Sequence, residues 1–408
     1  MLLVGDFIPQ RFAIKLPDEF RRQLVLANLE GPICTDEMLR SDKVGICLHT
    51  TTSEQLMREV RTFAFSLANN HMMDFREAGL RQTQETLAAN GIAFAGAGKD
   101  ETEARKPMIL NEDGKRIAVF CCCERQFGMA TQTNAGCAEA GLWLYDAIRE
   151  VRRSGSADFV IVSCHAASEF SPWVSPELHD FYHSLIDIGA DCIHGHHAHV
   201  PQGVEEYRRR PIFYGLGNFI VDPAMWNKNS HQLWSFVADV RFSIGTVEWH
   251  VRPYSVSRIG DVVSVCPGKE SGEVDYQRYL ANANAQFSSR ESLQACWQEA
   301  ACALFYNIYG RNLRSPPVTP IRIPWRDRCR LLYFALWEIF RAVTGRDRPS
   351  AKSIFYAKVL YNSYNCKSHT DMIKTALGVF TNVESDMRTE VTKKMWHEFC
   401  RVGKADKT

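Results

Sequence analysis

The chain has 408 residues, is 45% hydrophobic and 23% charged, and its 48 Lys+Arg nearly cancel its 47 Asp+Glu. That ordinary globular composition excludes wholesale disorder and collagen-like or low-complexity architectures, and the near-zero charge balance argues against a dedicated nucleic-acid binder. The length suits two to three domains of about 150 residues, or one large α/β unit with an appendage.

In chain order, Met1–Val4 reads as a buried strand ending at Gly5-Asp6, and Leu24–Ala27 as a second ending at Asn28-Leu29-Glu30. Phe63–Leu67 is a third, ending at Asn69-Asn70-His71. The spacing of Leu80, Thr83 and Leu87 predicts a helix over 76–90, closed by Asn90-Gly91. Ile117–Cys123 and Phe159–Cys164 are further strands, followed by a helix over His179–Ile188 and short strands at Cys192-Ile193 and Pro211–Tyr214. This alternation of strands and helices is the rhythm of an α/β domain. After about residue 270 the pattern turns helical, with helices expected over 289–309, 326–344, 351–365, 369–380 and 384–400. The expected division is therefore 1–268, α/β, and 269–408, all-helical. The most apolar stretch, Leu331–Trp337, is cut by Glu338 and Arg341, so no transmembrane span is expected.

The 14 cysteines contain no C-x-x-C pair and often sit in apolar runs, as small core hydrophobes do. With Met1–Val4 running straight into a strand and no leader, they suggest a reduced, cytoplasmic chain, peripheral to a membrane at most.

The polar strand endings carry the chemistry. Asp6, Glu30, Asn70-His71, His165 and the cluster His196–His199 all fall at carboxyl ends of predicted strands, where loops of an open α/β sheet converge on ligands. In Gly195-His196-His197-Ala198-His199, positions two apart point to one side of an extended or turning loop, so His197 and His199 can approach one cation together. Imidazole, carboxylate and amide oxygen suit manganese, iron or zinc, one or two ions. His179 and His183, four apart on a predicted helix, read as a solvated face.

Several ordered motifs then resemble one family. Ala68-Asn69-Asn70-His71-Met72-Met73-Asp74 is similar to A-N-N-H-x-x-D, and Gly189-Ala190-Asp191 through Gly195-His196-His197-Ala198-His199-Val200 to G-A-D…G-H-H-x-H-V. Pro211-Ile212-Phe213-Tyr214-Gly215-Leu216-Gly217-Asn218-Phe219 is similar to P-I-F-Y-S-L-G-N-F. Over residues 1–255 the chain resembles the CapA-type capsule synthesis (poly-γ-glutamate) family, a branch of the calcineurin-like metallophosphoesterases. The resemblance implies a four-layer α/β/β/α sandwich. It implies metal ligation by Asp6, Glu30, Asn70, His165, His197 and His199, with Glu30 bridging two ions. His71 would be the general acid, with Asp74 and Glu169 completing the catalytic set. Two positions depart from the pattern: Ile8 stands where the superfamily carries histidine, and its H-W-G-x-E block is His165-Ala166-Ala167-Ser168-Glu169 here.

The implied function is a metal-dependent, phosphoesterase-like hydrolase acting on capsule polymer or on a phosphorylated or peptidic precursor. The alternatives are an acid/base peptide epimerase on the same fold, or a non-catalytic polymer-binding or assembly protein. Between 311 and 348, nine arginines oppose three acids, with Trp325, Tyr333 and Trp337 interleaved. That segment reads as a solvated cationic face or as a surface for an anionic partner.

Overall fold

The computed structural model describes residues 1–9, 12–34, 38, 40–41, 48, 54–226, 230–243, 245–268, 275–309 and 365–401. The predicted helices over 326–344 and 351–365 (Asn365 excepted) and the arginine-rich segment 311–348 lie outside the described residues.

From the N-terminus come β1 (Leu2–Phe7), β2 (Ala13–Lys15), α1 (Glu19–Arg22), β3 (Val25–Leu29), α2 (Glu54–Glu59), β4 (Phe63–Ser66) and α3 (Arg76–Ala89). Next are β5 (Ala93–Ala95), β6 (Ala97–Gly98), α4 (Glu101–Ala104), β7 (Met108–Glu112), β8 (Lys115–Cys123), β9 (Gly136–Cys137) and α5 (Trp143–Ser154). Then follow β10 (Phe159–His165), α6 (Pro176–Asp187), β11 (Cys192–His196), β12 (Val204–Tyr207), β13 (Arg210–Phe213) and β14 (Asn218–Ile220). The long antiparallel run β15 (Trp234–Ser243), β16 (Thr246–Ile259) and β17 (Val262–Pro267) precedes α7 (Tyr276–Asn284) and α8 (Arg290–Tyr309). Among the described residues α9 (Lys367–Phe380) and α10 (Glu390–Arg401) complete the chain.

Two sheets face each other. The first runs β2-β17-β16-β15-β1-β3-β4-β5, with β14 also paired to β1, and the second runs β12-β13-β11-β10-β8-β7. In the first, β1, β3, β4 and β5 are mutually parallel, as are β8, β10, β11 and β13 in the second. Strand alternation explains how one apolar run serves two interfaces. On β8, Ile117, Val119, Cys121 and Cys123 join the core shared with the first sheet. Their neighbours Ala118, Phe120 and Cys122 pack under Leu144 and Ile148 of α5 and Tyr182 and Leu185 of α6. Each fully buried aliphatic side chain contributes about 1.5–3 kcal/mol, so both faces of this sheet are held hydrophobically. The result is the four-layer α/β/β/α sandwich.

Local signals set the helix ends. Ser175 accepts from the Leu178 amide at 3.1 Å and Pro176 follows it, so α6 begins three residues before the predicted His179. Gly91 adopts φ +67° just beyond α3, as the Asn-Gly pair implied. The helix expected over 384–400 starts only at Glu390. Thr389 Oγ1 accepts from the Thr392 amide, and the preceding residues instead clasp Gln298, which accepts from Met387 N at 2.7 Å and donates to Ser385 O at 2.9 Å.

The C-terminal helices seat on the loops that follow β10 and β11. Trp297, Met372, Trp396 and Phe399 bury against Ala167, Trp173, Ala198 and Val200. The described cysteines are free thiols, buried except Cys266 and Cys400, in keeping with their expected role as small core residues. No described helix is long and apolar enough to cross a membrane.

Among the described glycines, the tightest approach to neighbouring backbone lies beside Asp6. A Cβ on Gly5 would stand 1.7 Å from Gly217 O, the same oxygen that accepts from the Asp6 amide at 3.0 Å. Gly5→Ala should therefore cost about 3 kcal/mol or more by overpacking. That corresponds to a fall in melting temperature of roughly 10 °C by differential scanning fluorimetry. In Gly141→Ala the new Cβ meets nothing closer than 3.9 Å, so its melting temperature should stay unchanged.

Candidate metal centre

Six strand ends meet at one point between the sheets. Asp6 ends β1, Glu30 follows β3, Asn70 and His71 follow β4, His165 ends β10, His196–His199 follow β11, and Glu124 follows β8. Asp6, Glu30, His165, His197 and His199 are buried, as are Asn70, His71 and Asp74. Ligand atoms of Asp6, Glu30 and His199 lie within 4.8 Å of one another, as do those of Glu30, His165 and His197 and those of Glu169, His197 and His199. All nine residues singled out from the sequence thus converge on one neighbourhood.

Glu30 sits at its middle. Its Oε1 is 3.5 Å from His199 Nε2, 3.8 Å from His165 Nε2 and 3.9 Å from His71 Nε2. Asp6 is approached by His196 Nδ1 at 3.2 Å and His199 Nδ1 at 3.4 Å. His71 Nδ1 donates to Asp74 Oδ2 at 2.6 Å, and the same oxygen accepts from the Leu48 amide at 2.9 Å. Asp74 thereby fixes the proton on His71 Nδ1 and turns Nε2 toward Glu30.

The backbone makes this crowding feasible by an unusual path. His197 has φ +87° and His199 φ +56°, left-handed values for residues with a Cβ. Such conformations cost about 1–3 kcal/mol each and persist only where packing over-determines them. The two histidines meet the site through a tight turn, with ring centroids 6.0 Å apart, rather than along an extended strand. Gly195 stays in β11, and its role is close approach: a Cβ there would stand 2.0 Å from Tyr214 O.

The supporting amides were not singled out from the sequence. Asn28 accepts from Asn69 Nδ2 at 3.1 Å and donates to Asp6 Oδ1 at 2.9 Å, with its Nδ2 also 3.1 Å from His165 Nδ1. His165 Nε2 lies 3.1 Å from Asn70 Oδ1. Asn218 donates to Gln232 O and accepts from His199 Nδ1 at 3.0 Å, which orients His199 Nε2 toward Glu30. Asn28 and Asn218 lie inside the Asn-Leu-Glu and Gly-Asn-Phe motifs, which were the available signal. Glu124, Gln126 and Cys366 had none: Gln126 Nε2 donates to Glu124 Oε1 at 3.0 Å and lies 3.1 Å from His197 Nε2, and the Cys366 thiol meets Glu124 at 3.3 Å. A cavity of about 200 Å³ lies beside this edge, between Glu124, Ser168, Leu178 and Ser368.

Electrostatics favour a cation. Burial would lower the His199 imidazole, yet Glu30 and Asp6 outweigh it and lift it to about 10. Burial would likewise raise Asp6, but His196 and His199 hold it well below the usual carboxylate range. His165 and His197, depressed chiefly by burial, are neutral, His197 at about 3. His197 Nδ1 is buried without a hydrogen-bond partner. Anionic carboxylates, neutral imidazoles and an unsatisfied ring nitrogen are the donor set a divalent ion requires, so the residues fit such an ion.

Two sequence-predicted histidines behave differently from expectation. His179 and His183 are half-buried and share Glu205 of β12, at 3.6 and 2.9 Å, instead of forming a solvated face.

Residues 13–223 match a protein family described as "Bacterial capsule synthesis protein PGA_cap". The chain is similar to "Capsule biosynthesis protein CapA" of Bacillus anthracis, 27% identical over 244 residues, covering 54% of this chain and 59% of that one. It is also similar to a "Probable polyglutamine synthesis accessory protein" of Mycobacterium tuberculosis, 32% identical over 224 residues, 52% of this chain and 58% of that one. The chain thus spans under two thirds of the length of these curated relatives. A phosphatase of solved structure from Mycoplasma pneumoniae aligns with a TM-score of 0.37 at 11% identity, over 68% of this chain and 97% of that one.

The raised His199 sets a pH dependence for chelator-stripped protein. Because the folded pKa of about 10 exceeds the unfolded value, its stabilisation is complete below about pH 6.5 and is lost as pH rises toward 10. Between pH 7 and 8.5 the His199 contribution to unfolding free energy should fall by about 1.4 kcal/mol per pH unit, added to a same-sign contribution from buried cysteines. Urea titrations at several pH values should show His199→Gln with a slope shallower than the unmodified protein by that amount.

Proposed function

The chain belongs to the bacterial capsule synthesis protein (PGA_cap) family, and from that premise we propose a metal-dependent, phosphoesterase-like hydrolase serving capsule, poly-γ-glutamate or exopolysaccharide production. The observation that carries this reading is the meeting of Asp6, Glu30, His165, His197 and His199 at the carboxyl ends of strands from two sheets, with the His71–Asp74 pair beside them.

In this reading Asp6, Glu30, Asn70, His165, His197 and His199 would hold one or two ions of manganese, iron or zinc. Glu30 Oε1 lies within 3.9 Å of three imidazole nitrogens, which supports its place in that set. A bound divalent ion supplies Lewis acidity and lowers the pKa of water. The remaining chemistry belongs to the chain. His71, oriented through Nδ1 by Asp74, presents Nε2 to protonate a leaving group. Glu169, its carboxyl held low by the charge of His199 against the raising effect of burial, offers an anionic base across the site. Trp226, with its ring 4.5 Å from that of His199, shields that edge from water. The substrate is capsule polymer or a phosphorylated or peptidic precursor.

Elemental analysis of the purified protein should find stoichiometric metal, reduced by one or two equivalents in His197→Ala with His199→Ala. His71→Asn should keep the metal while hydrolysis of p-nitrophenyl phosphate or of a γ-glutamyl peptide falls by about 10²–10⁴-fold. Exchange of solvent deuterium into a peptide Cα without hydrolysis would instead favour an epimerase. A metal content undiminished in the double variant would end the ligand assignment.

A further inference from the structure

A second cluster of metal-ligating side chains lies on the outer side of the second sheet, built by α6 and β12. His179 and His183 are one helical turn apart, so both project from the same face of α6 toward the adjacent strand. Their rings lie 3.9 Å apart, centroid to centroid. Across from them, Glu205 Oε2 is 2.9 Å from His183 Nε2 and 3.6 Å from His179 Nε2. One ligand atom from each of the three falls within 4.8 Å of the others. Ligands around a tetrahedral zinc ion stand about 3.3 Å apart, given metal–ligand bonds of about 2.0–2.2 Å. The two histidine-to-Glu205 distances lie close to that spacing, so small side-chain adjustments would let the three groups share one ion.

We propose that His179, His183 and Glu205 form a second, independent site for a divalent transition ion, of the zinc, nickel or copper class, with an open fourth position. Four features set it apart from an incidental ion pair. His183 stacks on Tyr207 at 3.7 Å and His179 lies parallel to Tyr214 at 6.2 Å, so both rings are held in place. Tyr214 donates to Glu205 Oε2 at 2.9 Å. His179 Nδ1 donates to Asp180 at 3.2 Å, and Asp180 is itself gripped by Arg290 at 2.5 and 2.9 Å. That is the carboxylate–histidine arrangement that orients a metal-bound imidazole and fixes its tautomer. Side-chain exposures of 15–19% leave a path for an ion to enter.

Two imidazoles and one carboxylate favour borderline ions over magnesium or calcium. The ion would tie α6 to β12.

Cobalt(II) titration of chelator-stripped full-length protein, followed by visible absorption and calorimetry, tests the site. The His179→Ala/His183→Ala variant should bind one equivalent less than the unmodified protein, and Glu205→Gln should weaken that equivalent. Tyr214→Phe should weaken it roughly tenfold through the lost outer-shell hydrogen bond. His199→Ala, at the central cluster, should leave that equivalent intact. Far-UV circular dichroism on each variant separates ligand loss from unfolding. Equal cobalt stoichiometry in the unmodified protein and in a folded double variant overturns the proposal.

Discussion

Everything at the centre of this fold answers to two carboxylates buried between the sheets. Asp6 and Glu30 are essentially inaccessible, and an isolated ionised carboxylate in such surroundings is prohibitively costly. Positive charge must be supplied nearby. His199 responds most strongly, its imidazole pulled up to about 10, while His165 and His197 stay neutral. A proton on His199 and a cation at the same place are alternative answers to one electrostatic demand. The strand ends, amide clamps and left-handed turn hold that demand in a fixed geometry.

Much of this was legible in the residues because strand ends are punctuated. An apolar run that stops at Gly-Asp, Asn-Leu-Glu or Asn-Asn-His announces both the strand and the polar group presented at its tip. The two-sheet core followed from alternation too, as β8 shows in sending Ile117 and Val119 one way and Ala118 and Phe120 the other. Less could be read where partners are remote. Nothing near Glu124 in sequence indicates that Cys366, from the far end of the chain, would meet it. Nor does the spacing of His179 and His183 reveal Glu205, because pairing of β12 with β13 places that carboxylate opposite the helix. Asn28 and Asn218 fell between these cases: their motifs were visible, but their hydrogen-bonding duties depend on side-chain orientation.

The turn at His197–His199 links strain with support. Two non-glycine residues in the left-handed region would relax if their surroundings allowed it. Ala198 and Val200, interleaved with them, are packed beneath Trp297 and Trp396 of the C-terminal helices, and Ala167 and Trp173 on the Glu169 loop share that packing. The helices thus act on the site without supplying its central ligands. They confine the loops that carry those ligands.

This support has a consequence for biosynthesis. Ribosomes add about 5–20 residues per second, and early segments can fold before later ones appear. Strands β1 to β14 and the loops after them carry the central carboxylates and histidines, yet the ring contact between Trp173 and Trp396, at 5.8 Å, awaits α10. A nascent chain therefore displays its histidines and carboxylates well before the loops bearing them acquire their backing. The confined geometry of the centre consequently waits on synthesis of a segment about two hundred residues beyond the turn at His197–His199.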